Sequence, residues 1–154
     1  MPKIELNAID LDDDADVVFL FETRSHSEIC KCLLQSPPKD IEAHRAWLNA
    51  NVPAKRLMFL LWVDGKRVGY CHAYDFVGKD TVEVGFVIHP RYQNRGYGTK
   101  MAKALIGRLK SFMPQRKIVL FVREGNDGAA RLYERLGFAE KWFESGTRYE
   151  LGEK

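Results

Sequence analysis

Cysteine is scarce and odd in number: Cys30, Cys32 and Cys71 are the only three in 154 residues. This excludes the paired framework of a small secreted disulfide domain. Cys30-x-Cys32, near His26, lacks the Cys-x-x-Cys spacing and the second pair of a structural zinc site, so the thiols read as buried or free and no metal is expected. No apolar run approaches the roughly 18 residues of a membrane span. Met1-Pro2-Lys3-Ile4-Glu5 has no signal-peptide apolar core, and the expectation is a cytoplasmic protein with no membrane partner. Net charge is small, +3, and no basic run is interleaved with aromatics, which excludes a nucleic-acid partner. Repeats, low-complexity tracts and linkers are missing as well. With 45% hydrophobic residues, the chain is expected to form one domain over 1–154 with a sizeable core.

What charge there is lies unevenly. Residues 1–56 carry seven Lys/Arg against ten Asp/Glu, and residues 57–154 carry seventeen against eleven. The acidic half would suit a cationic partner and the basic half an anionic one.

The hydrophobic pattern gives the elements. Alternation at Ile4, Leu6 and Ala8 predicts a first strand. Helices are expected over about 12–23, behind a run of acids, over about 27–34, ended by Pro37-Pro38, and from Asp40, with Ile41, His44 and Leu48 on one face. Strands 57–63 and 66–74 flank Asp64-Gly65, a two-residue hairpin signal, and Gly78-Lys79-Asp80 turns into a third strand over 81–88. A helix with Met101, Leu105, Leu109 and Phe112 inward ends at Pro114. Lys117-Ile118-Val119-Leu120-Phe121-Val122 reads as a strand buried on both faces. A short helix capped by Asn126 or Asp127 closes at Gly137, and 138–143 with 147–151 form a last hairpin. This order is mixed α/β in one layered domain.

The most informative stretch is Gly85-Phe86-Val87-Ile88-His89-Pro90-Arg91-Tyr92-Gln93-Asn94-Arg95-Gly96-Tyr97-Gly98-Thr99, an apolar strand running through a basic, glycine-punctuated loop into a helix. Glycines admit a ligand close to main chain, and the helix N-terminus offers N–H donors to an anion. Gly98-Thr99-Lys100 has the wrong order for a nucleotide-hydrolase loop, and Gly96-x-Gly98 followed by Met101 lacks the third glycine of the dinucleotide fingerprint.

What remains, Gln93-Asn94-Arg95-Gly96-Tyr97-Gly98, resembles the pyrophosphate loop of the GNAT superfamily of acyl-CoA N-acyltransferases. Asn126-x-x-x-Ala130-x-x-Tyr133-x-x-x-Gly137-Phe138 is similar to a second block of that family, and the element order matches over essentially the whole chain. The resemblance implies a mixed, mostly antiparallel central sheet flanked by helices. It implies acetyl-CoA as acyl donor, held by the main chain around Arg95, Gly96, Tyr97, Gly98 and Thr99, by the exposed strand edge of Phe86, Val87 and Ile88, and by Asn126. Tyr133 resembles the family's general acid. Glu83, two residues before the diverging segment, matches a Glu used as base in some branches, while other branches place the base elsewhere or use ordered water, and the plainer reading is a surface carboxylate on an antiparallel strand. His72 reads as an ordinary strand histidine and His89 as structural. Arg24 and the segment 41–48 are faintly similar to a branch acting on nucleotide-linked amino sugars, against the plainer reading of 41–48 as a core-packing helix.

The expected activity is acetyl transfer to a primary amine of a small molecule by direct attack, with a homodimer as the assembly considered. The alternatives are acetylation of protein N-termini or lysines, which would want an open groove, and a non-catalytic acyl-CoA sensor on the same fold.

Overall fold

A computed structural model describes residues 2–30, 39–122, 127–143 and 146–151. One seven-stranded sheet organises them, in the order β1-β2-β3-β4-β5-β7-β6. The strands are β1 (Ile4–Ala8), β2 (Arg56–Val63), β3 (Lys66–Tyr74), β4 (Thr81–Ile88), β5 (Lys117–Val122), β6 (Phe138–Phe143) and β7 (Gly146–Leu151). Every neighbouring pair is antiparallel except β4 with β5. The fold is therefore the mixed, mostly antiparallel α/β arrangement expected. The β2–β3 hairpin turns at Asp64 and Gly65 with φ of 49° and 79°, the left-handed pair that a two-residue turn requires.

The helices among the described residues are α1 (Asp14–Ser25), α2 (Ser27–Cys30), α3 (Ile41–Asn51), α4 (Tyr97–Phe112) and α5 (Asp127–Arg135). Period-2 alternation sends neighbouring strand residues to opposite layers. Leu61, Cys71, Val82, Val84 and Leu120 pack with Met101, Leu105 and Leu109 of α4 and Tyr133 of α5. Met58, Leu60 and Tyr70 pack with Val17 and Leu20 of α1 and Leu48 of α3. The stripe on α4 differs from expectation at its end, because Phe112 is 61% exposed. The i, i+4 ladder from Leu105 through Leu109 continues to Met113, which packs on the core instead. Of the helix expected over 27–34, only α2 falls within the described residues.

Asp40 caps α3, accepting from the Ala43 N–H at 2.8 Å. The same helix carries His44 into the interior, where neither ring nitrogen has a hydrogen-bond partner. Burial, reinforced by the Arg24 guanidinium, lowers its pKa from 6.5 to about 4. The unfolded chain therefore binds a proton that the folded chain refuses, and folding stability should fall as the pH drops from about 6.5 toward 4. Urea midpoints at the two ends of that window should differ less in His44→Leu than in the parent, and an unchanged difference would contradict the assignment.

Candidate functional site

The sheet splits in its middle. β4 pairs β5 only at Thr81↔Lys117, Val82↔Ile118 and Glu83↔Val119. Beyond Val119, β5 continues on its other side against β7, while β4 runs on toward Ile88 paired only with β3. Main chain along 84–88 thus has no strand partner on its β5 side among the described residues. This is the divergence expected next to Phe86, Val87 and Ile88.

A cavity of about 910 Å³ occupies the split, lined by Gly85, Phe86, Val87 and Ile88 from one strand and by Leu120, Phe121 and Val122 from the other. Gln93 closes the loop onto the strand end, donating from Nε2 to the Ile88 carbonyl at 2.9 Å. His89 caps the 3₁₀ turn Pro90–Tyr92, its Nδ1 accepting from the Arg91 N–H at 3.2 Å, which is a structural role.

The loop then enters α4 through Gly96, whose φ of 81° no β-carbon tolerates well and whose lack of a side chain leaves the helix without a side-chain cap. The first N–H groups of an uncapped helix have no intrahelical acceptor. Gly98 is different. Its backbone is not left-handed, and a β-carbon there would meet only Ile88 Cγ1 and Leu132 Cδ2, both at 3.8 Å. Nothing in the protein's own packing demands glycine at 98. Arg95 is exposed, with its guanidinium 5.9 Å from the Tyr92 ring, and Tyr97 and Thr99 are half-buried in the first turn.

Tyr133 and Glu83 both line the cavity, from opposite layers. Tyr133 is 8% exposed, its ring centroid 5.9 Å from those of Phe86 and Phe138. Burial raises the pKa of its phenol, so the hydroxyl keeps its proton at any physiological pH. Glu83 is 9% exposed and sits at the last paired position before the split. It faces Tyr74 directly across the β3–β4 ladder, and the Tyr74 hydroxyl donates to its Oε2. Asn126 lies outside the described residues.

The split also gathers Arg56, Tyr70 and Tyr74, not picked out from the sequence, with His72 and Arg24. Arg56 opens β2 beside Tyr74, with its guanidinium 4.1 Å from that ring, and its Nη1 lies 2.5 Å from His72 Nδ1. Guanidinium only donates, so Nδ1 accepts and the His72 proton sits on Nε2. That ring lies over Gly85, where a β-carbon would come within 2.4 Å of Nε2. Burial, and then the charges of Arg56 and Arg24, hold the His72 pKa well below 6.5, so the ring is neutral. With its free lone pair already engaged, His72 is a lining residue and not a ready proton acceptor. Arg24 and Tyr70 reach the same cavity from α1 and β3.

No helix among the described residues is long and apolar enough to cross a membrane. The chain is 25% identical to the uncharacterized N-acetyltransferase YnaD of Bacillus subtilis over 126 residues, 80% of this chain and 74% of that protein. A shorter stretch of 53 residues, 34% of this chain and 35% of the other, is 47% identical to a spermine/spermidine N(1)-acetyltransferase of Bacillus subtilis. The fold superposes on the spermidine N-acetyltransferase of Vibrio cholerae, solved with CoA and spermine, with a TM-score of 0.82 at 17% identity over 96% of this chain and 92% of that one. Residues 21–138, well over half of the chain, match the model of the acetyltransferase (GNAT) family. The chain belongs to that family, and it is an N-acetyltransferase whose acyl donor is acetyl-CoA.

Proposed function

We propose that this enzyme acetylates a primary amine of a small molecule, by direct attack of the neutral amine within the split between β4 and β5. The observation that carries the reading is the end of strand pairing at Glu83↔Val119, which leaves one unpaired strand edge between two buried titratable side chains of different character. Bound acetyl-CoA supplies a thioester carbonyl open to a nucleophile. The chain's own residues do the rest. The uncapped N–H groups from Gly96 to Thr99, with the charge of Arg95 nearby, suit the pyrophosphate, and the absence of a side chain at Gly98 leaves room for it. The β4 edge at Phe86, Val87 and Ile88, which has no strand partner on its β5 side among the described residues, suits the amides of the pantetheine arm, which pair as an added strand would.

An amine reaches this site mostly as ammonium and needs a base. Glu83 is suited to take that proton, directly or through one water, because it lines the cavity and the Tyr74 hydroxyl fixes its carboxylate. Tyr133 holds a proton at its phenolic oxygen and offers it where charge develops on the leaving sulfur. The cavity of about 910 Å³ between the two strands has room for a small acceptor beside the acyl donor.

Thiol release from acetyl-CoA, measured over a panel of small primary amines and peptide N-termini, tests the reading. Release is expected with small amines, at a rate that rises with pH through an apparent base pKa. Glu83→Gln should lower the rate roughly 100-fold and flatten or displace that rise, with acetyl-CoA binding nearly intact. Turnover confined to peptides, or an unchanged pH profile, would contradict the acceptor and the base.

A further inference from the structure

The acceptor side of the cavity holds two buried cations, and the Glu83 carboxylate acts on one of them, Arg56. Arg24 is 5% exposed, and its Nε and Nη1 are fully buried without a hydrogen-bond partner. Arg56 is 9% exposed, and the hydrogen bond it makes goes to a neutral imidazole. Among the described residues neither guanidinium takes part in an ion pair. Trp47 lies 5.1 Å from the Arg24 guanidinium and 4.9 Å from that of Arg56. Aromatic contact attracts a guanidinium but leaves its N–H edges without acceptors. Tyr70, 1% exposed, adds a buried hydroxyl with no partner.

Burying a charge is costly unless it is paired, and two like charges near each other add to the cost. Asp13, Asp14 and Asp16 do not relieve it, because they are engaged elsewhere. Asp13 caps α1 and, with Asp16, pairs with Arg67, while Asp14 pairs with Arg45. Glu28 and Lys55 also line the cavity and offset each other in sign, and Asp75 is held by Lys79 at 2.9 Å.

We propose that Arg24 and Arg56, with the Tyr70 hydroxyl, form an anion subsite in the acceptor half of the cavity, so that the amine acetylated here also carries a carboxylate or phosphate group. The inference rests on the amine-acetylation reading and narrows its substrate class. A planar guanidinium matches either anion through two parallel N–H bonds, and the neutral His72 leaves the positive field to the two arginines. Such an acceptor is amphoteric, with its anion at the arginines and its ammonium toward Glu83.

The test compares kcat/KM for propylamine, 3-aminopropanoate, 3-aminopropyl phosphate and spermidine. At least one anionic amine should exceed propylamine tenfold or more, and which of the two does so distinguishes carboxylate from phosphate. Arg24→Gln should erase that advantage through KM, and Arg24→Lys should keep part of it. Retained stabilisation by acetyl-CoA reports that each variant is folded, and Arg56→Gln serves if Arg24→Gln is not. Preference for spermidine or propylamine over both anionic amines would overturn the subsite and leave amine acetylation standing. Thiol release with none of the four, in a protein that binds acetyl-CoA, would overturn both.

Discussion

Gly98→Asp should weaken acetyl-CoA binding on the order of 100-fold, about 2.7 kcal/mol, while leaving the ligand-free fold as stable as before or more so. The two halves of this expectation have opposite signs for a physical reason. Position 98 lies in the first turn of α4, which has no acidic residue and no side-chain cap, and a carboxylate there complements the helix dipole by about 0.3–1 kcal/mol. Its β-carbon meets only ordinary contacts at 3.8 Å. Against a bound diphosphate the same carboxylate is a like charge at close range, where a pair of unit charges about 4 Å apart near a protein surface costs about 4 kcal/mol. A thermal melt with and without acetyl-CoA reads both effects. A variant that folds and binds as the parent does would show that the phosphates are held elsewhere.

Tyr133→Phe should lower kcat by roughly 100-fold or more, with acetyl-CoA affinity and melting temperature nearly unchanged. Phenylalanine preserves the ring contacts to Phe86 and Phe138 that make Tyr133 part of the core. What is lost is one proton, needed mainly as charge develops on sulfur, so the loss falls on turnover and not on binding. Because burial raises the phenol pKa far above neutrality, the parent should show no decline in rate from Tyr133 ionisation up to at least pH 9. An unaltered kcat, with chemistry shown to limit the rate, would remove Tyr133 from the mechanism and leave it a core residue.

The glycine-punctuated loop after β4 and the strand order were legible because both depend on main chain. Gly96 is demanded by a left-handed backbone, and the run from Thr81 to Ile88 into that loop is continuous in sequence. The partner of Glu83 was within reach of the same reasoning. The β3–β4 pairs are symmetric about the turn between Gly78 and Lys79, which sets Tyr74 opposite Glu83. Arg56 was hidden by a single residue, since the apolar run begins at Leu57 and the strand begins one position earlier.

Charge was the least legible property. The acid excess in the first 56 residues pointed to a cationic partner, yet Asp13, Asp14, Asp16 and Asp40 serve as caps and ion-pair partners around α1 and α3. A net count records how many charges a segment has and says nothing about which of them face the cavity. Arg24 could be recognised as a buried cation only once α1 was packed against the sheet.

A crystal structure of the protein with CoA tests the central claim most directly. The pyrophosphate should lie on the N–H groups of residues 96–99, the pantetheine arm should pair with the β4 edge at 86–88, and the sulfur should lie near the Tyr133 hydroxyl with Glu83 across the cavity. CoA bound outside the split between β4 and β5, or with its sulfur remote from both Tyr133 and Glu83, would contradict the account.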